Sequence, residues 1–519
     1  MQNKIITLFT LCLPLCAFAQ SFEQKVQRYF KAFDSAQEKI VERYESNPDK
    51  LPELITRDEL ESWVQVPKSY RLSAGQIQKL IQDQNSRAQQ AAALAKENSI
   101  LSLNRLRNMG ETQIQNFCQQ IPKGGMLHVH AWGTAKEETL KKILQNTDPL
   151  INPSEYLKKF SSSHPQSKLS EDIFSTDEIE YFDRLNKNTQ YLDLDPTTEV
   201  TPFINLFVLD DKSVSSFDRF MAVFGLYGMA KFYHPDKVDE NQNILWRDLL
   251  ERSRKLGISY LEVSISFFAP WGLDEKITKL NQLAIMARQE YGIEVRYLAG
   301  FLRQNDNISK NWKLAKTLYQ KIENQAFFVG INLQADETNN SALRKGQAIY
   351  APLLVLKKSG NSRLQATMHA GELGHFDNVR DAIILGSQRI GHGNLVVNRP
   401  IALEYAIKKK IAIETNLISN IRLGIEPSIE EHPFIKFLRL GLRVSLSTDD
   451  EGIFKTDMAH ECYQAIEKTD IQYSELKQMF LNSIETAFVE AAAKATLKSQ
   501  LLADLENFEK DWLNRLTPP

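Results

Sequence analysis

Met126-Leu127-His128-Val129-His130 places two histidines at i and i+2 inside a short apolar run. Read as a strand, the run alternates its side chains, so both imidazoles fall on one side. Two imidazoles on one strand are a common beginning for a metal site. Three later stretches carry chemistry in the same way: His369-Ala370-Gly371-Glu372, Gly391-His392-Gly393 and Ser447-Thr448-Asp449-Asp450. Each follows an apolar run.

Downstream of this stretch the pattern becomes regular. Apolar runs at 258–263, 293–298, 327–333, 364–368, 389–390, 411–413 and 442–446 alternate with helical periodicity. With the run at Met126 they make eight. Strands separated by helices imply a parallel sheet, and eight such units imply a closed (β/α)8 TIM barrel. The motifs lie at or just past the C-terminal ends of the runs, the face where such barrels gather reactive groups. The second unit is preceded by a long helical insertion over 134–250. Within it, 161–170 reads as a polar surface loop, and 217–232 is apolar at mixed helical spacing, suited to packing on the barrel or lining a pocket.

Upstream, Pro122-Lys123-Gly124-Gly125 punctuates the entry to the first strand. Residues 1–19 read as an export signal: Lys4 is the basic start, 5–16 is mostly apolar, and Ala17-Phe18-Ala19 is the small-x-small pattern before cleavage at Gln20. Bulky Leu15 argues against lipoprotein processing at Cys16. No later run approaches the ~20 apolar residues that span a bilayer, so no membrane attachment is expected after cleavage, and the address is periplasmic or secreted. Residues 20–115 read as a helical N-terminal domain, with Phe22, Val26, Tyr29, Phe30, Phe33, Ala36 and Ile40 on one face and Asn47-Pro48 ending the first helix. That domain either completes the core or supplies a homodimer contact. The barrel domain is expected over 116–500, and 501–519 as a C-terminal helix and tail.

The chain has 519 residues and a formal net charge of -2. It carries no extended Lys/Arg block, which gives little support for nucleic-acid binding and fits a small polar or neutral ligand. After signal removal only Cys118 and Cys462 remain, enough for at most one internal disulfide.

Over about 120–495 the four motifs together resemble the zinc-dependent adenosine deaminase family of metal hydrolases. The layout is closest to the family's secreted growth-factor branch, which uses a helical N-terminal segment in dimerisation. The resemblance implies the same barrel and one Zn²⁺ per chain, held by His128, His130, His369 and Asp449. Three imidazoles and a carboxylate suit zinc with a further position for water. The run at 327–333 lacks the lysine that bridges two metals elsewhere in the superfamily. By the same resemblance His392 would hold the attacking hydroxide, with Asp449 assisting. Its two neighbouring glycines leave the ring room. Glu372 would pass a proton to purine N1, and Asp450 would meet N7. The Ala335 N–H would reach the purine. Asn420, in the loop after the seventh strand, is a candidate substrate contact. The implied reaction is hydrolytic deamination of adenosine or a related 6-aminopurine nucleoside.

Three departures bear on the substrate. Ala131 and Trp132 stand where the family carries a ribose-contacting aspartate, so Trp132 either stacks on the ligand or fills space. Ala335 replaces a usual glycine, and Glu451-Gly452 stands where many members have proline. These changes motivate an alternative, an exported zinc amidohydrolase acting on a different purine or amine. A secreted deaminase-like binding protein fits less well, because a binder has no need of Glu372 and His392.

Overall fold

The computed structural model describes residues 12–516 except 148–149, 156–157, 159–174, 188–191, 195–199, 212, 214–215, 233–234, 267–271, 304–306 and 339–340. Most of the expected export signal and all of the expected loop at 161–170 lie outside the described residues.

Eight parallel strands form the barrel: β1 (Gly124–His130), β2 (Ile258–Ser266), β3 (Glu294–Leu302), β4 (Phe328–Gln334), β5 (Gln365–Ala370), β6 (Arg389–His392), β7 (Ala412–Thr415) and β8 (Arg443–Leu446). They neighbour one another in chain order. Helices cover the outer face, which is why the strands read as near-continuous apolar runs. Several strands outlast those runs. β2 and β3 still pair at Ser266 with Gly300, and β5 and β6 at Ala370 with His392. His369 therefore lies within β5, not after it, and His392 is the last residue of β6. Backbone pairing continues where the apolar side chains stop and the chemically active ones begin.

β1 meets the loop after β8 through an isolated bridge, Val129 with Asp449. Asp449 N donates to His128 O at 3.1 Å, and Ser447 Oγ accepts from Leu127 N and His128 N at 3.2 Å each. The seam where the barrel closes thus runs through the first motif and the last.

The N-terminal helices share the barrel's core. Helix Cys12–Glu45 stops just before Asn47-Pro48 and buries Val26, Phe30, Phe33, Ala36 and Ile40. Phe33 meets Tyr405 edge-on at 5.1 Å, and Gln37 Nε2 donates to Ile384 O at 2.9 Å. Helix Ala74–Glu97 opens on a capping box made by Ser73 and Gln76.

The insertion builds a second apolar cluster around Leu140, Ile143, Phe203, Phe207, Val223 and Phe454. At the other end, helix Ala491–Leu516 runs unbroken through 500, so a boundary there would cut it. A Cβ on Gly124 would lie 2.7 Å from Leu501 Cδ2. Gly124, the first residue of β1, is what lets this last helix close on the barrel.

Candidate active site at the strand ends

β1 brings His128 and His130 to the barrel mouth, β5 brings His369, and the loop after β8 brings Asp449. One ligand atom from each lies within 4.8 Å of the others. His130 Nε2 is 3.2 Å and His128 Nε2 3.6 Å from Asp449 Oδ1. A second set, Glu372, His392 and Asp449, converges equally closely, with His392 Nε2 3.6 Å from Glu372 Oε1. All six side chains are buried.

Three of the four rings are held from behind. His128 Nδ1 pairs with Glu414 Oε2 at 2.9 Å, His369 Nδ1 with Asn332 Oδ1 at 3.1 Å, and His392 Nδ1 with Asn420 Oδ1 at 3.1 Å. An oxygen acceptor at Nδ1 assigns the proton to that nitrogen and turns the Nε2 lone pair inward. Asp449 Oδ2 accepts from Ser419 Oγ at 2.7 Å. Glu414 is anchored in turn by Thr367 Oγ1 at 2.8 Å and Arg389 Nε at 2.6 Å.

The backbone is strained here. Ala335, His392 and Asp449 have positive φ, at 77°, 63° and 60°. A left-handed non-glycine residue costs of order 1–3 kcal/mol and clusters at functional sites. Glycines supply clearance: a Cβ on Gly133 would strike the Asp450 carboxylate.

This donor set fits a divalent metal. His128 Nε2 is buried without a hydrogen-bond partner. Burial opposes charge on His128, yet Asp449 and Glu414 outweigh it and lift the ring to about 10. The pocket selects positive charge at this point, which a divalent cation supplies more strongly than a proton. For Asp449 burial also opposes charge, but the His128 and His130 rings beside it hold the carboxyl well below its usual range.

Burial sets the other groups differently. It lowers His392 to about 4, helped by His128. It pushes Glu372 well above the usual carboxylate range, helped by Asp449 and Glu337. Asp450 is raised by burial and by Asp449, and neither of its oxygens has a partner. Burial thus favours neutral His392 and uncharged Glu372, while Asp449 is drawn toward its carboxylate form, a divergence that suits acid–base chemistry.

The cavity at this site is lined by Ala335, Gln334, His130, His369, Glu372, His392, Asp449 and Asp450 below. Phe217, Phe220, Met221 and Phe224 of helix Phe217–Phe232 form its roof. Those four recur at i, i+3, i+4 and i+7, one face of a helix. Of the candidate substrate contacts, Asp450 and Ala335 lie on the cavity. Trp132 instead packs against the insertion's apolar cluster, and Asn420 holds His392. Sequence reasoning missed Glu414, Asn332 and Ser419. The one available signal was the charge of Glu414 inside the apolar run Ala412-Ile413-Glu414-Thr415.

A family model described as adenosine deaminase matches residues 185–504. The match begins after β1, so the membership of His128 and His130 in the cluster comes from the geometry. An adenosine deaminase of Clostridium perfringens (strain SM101) is 29% identical over 286 residues, 53% of this chain and 82% of that relative. Two solved structures share the fold at 18% identity. An Arabidopsis ADAL complexed with IMP has a TM-score of 0.54 over 76% of this chain and 99% of the other. A Burkholderia ambifaria amidohydrolase with bound Zn has a TM-score of 0.51 over 77% and 94%.

Proposed function

Because this chain belongs to the adenosine deaminase family, we propose that it is a zinc aminohydrolase converting adenosine, or a closely related 6-aminopurine nucleoside, to the 6-oxopurine and ammonia. The observation that carries the reading is the convergence of His392, Glu372 and Asp449 beside a cluster of three imidazoles. His128, His130, His369 and Asp449 would hold the ion. Zinc in such a site supplies Lewis acidity and brings the pKa of a water toward neutrality.

The chain's own groups do the rest. Glu372, whose burial favours the protonated form, gives its proton to ring N1 and makes C6 more electrophilic. His392, kept neutral by burial and aimed by Asn420, accepts a hydrogen bond at Nε2 and orients the attacking water. Asp450, whose protonated form burial and Asp449 also favour, donates to N7. The aromatic roof excludes water from the ring. The net change is one water consumed, the C6–N bond broken, a C6–O bond formed and ammonia released.

Two observations narrow the substrate. No Lys or Arg is among the described residues lining the cavity, which disfavours a phosphate, although ADAL of the same fold was solved with IMP. No carboxylate stands at 131 or 132 to meet a ribose, which favours a nucleoside recognised mainly by its base. The second reading, a different amine on the same centre, rests on that same change. Zinc-loaded protein is tested with adenosine, deoxyadenosine, adenine and AMP by ammonia release and ultraviolet change. Turnover of adenosine above AMP is expected; release from AMP alone would overturn the assignment.

We further propose export with cleavage before Gln20, checked by the N-terminal mass of the mature chain, and a dimer contact on the N-terminal helices, checked by light scattering. Among the described residues no helix is long and apolar enough to cross a membrane.

A further inference from the structure

Cys118 and Cys462 are 344 residues apart in sequence, yet their Sγ atoms lie 2.7 Å apart. Both side chains are sealed from solvent. Cys118 belongs to helix Glu111–Gln120, which leads into β1, and Cys462 to helix Met458–Lys468, which follows the loop after β8. The pair therefore straddles the seam that the Val129–Asp449 bridge closes. Those are the two chain segments that bring His128, His130 and Asp449 together.

The second helix also reaches the site through the helix that follows β7. Asp457 caps it, accepting from Ala459 N at 3.0 Å and His460 N at 2.9 Å. Glu461 Oε2 accepts from Leu417 N at 2.9 Å and Ile418 N at 3.3 Å. Those amides open the short helix that carries Ser419 and Asn420, the residues behind Asp449 and His392.

We propose that Cys118 and Cys462 join in a disulfide during folding, and that this bond clamps the barrel seam and the metal ligands on either side of it. The step is thiol–disulfide exchange with a disulfide-containing oxidant. One cysteine thiolate attacks a sulfur of the oxidant and expels a thiolate. The second then attacks the mixed disulfide and expels the other. One S–S bond breaks and one forms; the two electrons and the two cysteine protons leave with the oxidant as two thiols. Because the folded pair is sealed, exchange occurs before the two helices pack. Burial then raises the Cys118 thiol and leaves any pair that escaped oxidation inert. A bond across so long a loop restricts the unfolded chain strongly.

The test refolds the full chain in a glutathione redox buffer, then unfolds it in alkylating agent without reductant and maps its peptides by mass. A cross-linked peptide pair containing Cys118 and Cys462 is expected. The oxidised protein should melt several degrees higher than reduced protein and yield zinc to a chelator more slowly. Cys462→Ala should match the reduced protein; should that variant fail to fold, reduced wild-type protein gives the same comparison. Full alkylation of both cysteines after oxidative refolding overturns the bond. A bond that leaves melting and zinc release unchanged overturns the clamp. Neither the peptide map nor the melt depends on turnover of adenosine, so a failed deaminase assay leaves this result standing.

Discussion

The Cβ that Gly391 lacks would lie 2.7 Å from Cε1 of His128. His128 on the first strand and the glycine on the sixth are thus fitted to each other. Gly391→Ala should push the His128 ring off its axis and lower zinc affinity at least tenfold, with the fold retained. Metal content after dialysis against a chelator reads the effect; full occupancy in the variant contradicts the fit.

Glu372→Gln keeps the shape of the acid and removes its proton. A general acid contributes about 10²–10⁴-fold, so kcat should fall by that factor while zinc content stays unchanged. Loss of zinc along with kcat would instead make Glu372 part of the metal's environment.

Glu414→Gln weakens the hold on His128 Nδ1 and leaves Arg389 with less charge to pair. Partners behind a metal-binding histidine are typically worth about 10–100-fold in metal affinity. A competition titration with a chromophoric chelator should show a loss in that range, and a matching affinity would remove Glu414 from the account.

The buried Glu461 carboxyl is pushed up to about 8 by desolvation. Its folded pKa stands above the ordinary value of 4.5, so its contribution to stability is full below that value and is lost as pH rises through about 8. Glu461→Gln, which imitates the neutral acid, escapes that loss. The Tm difference between Glu461→Gln and wild type should therefore shift in favour of the variant from pH 5 to pH 9. A difference that does not change with pH would mean the carboxylate is charged throughout.

His128, His130, His369, His392, Glu372 and Asp449 were legible because each stands in a short motif at the end of an apolar run. The barrel was legible for a related reason: a buried parallel strand must be apolar on both faces. Strand ends were less so. Hydropathy falls at Ser264 and His369 while pairing continues, so pattern alone stops each strand early. The residues behind the rings were hidden more deeply. Asn332, Glu414, Ser419 and Asn420 meet their partners only through the closed sheet, at sequence separations of 28 to 286 residues. Trp132 shows the converse: its place in the first motif left ligand contact and space-filling equally open, and its ring packs against the insertion's apolar cluster.

Ala335, His392 and Asp449 hold backbone conformations that a side chain resists, all at one rim of the barrel. That rim gathers three of the five described non-glycine residues with this conformation, against Lys410 alone at the entry to β7. A library randomised at these positions and sorted for thermal tolerance should drift toward glycine and asparagine, and the hardier clones would surrender turnover, because the same kinks aim the reactive groups. The protein's most improvable spots for durability are therefore those where improvement costs it its chemistry.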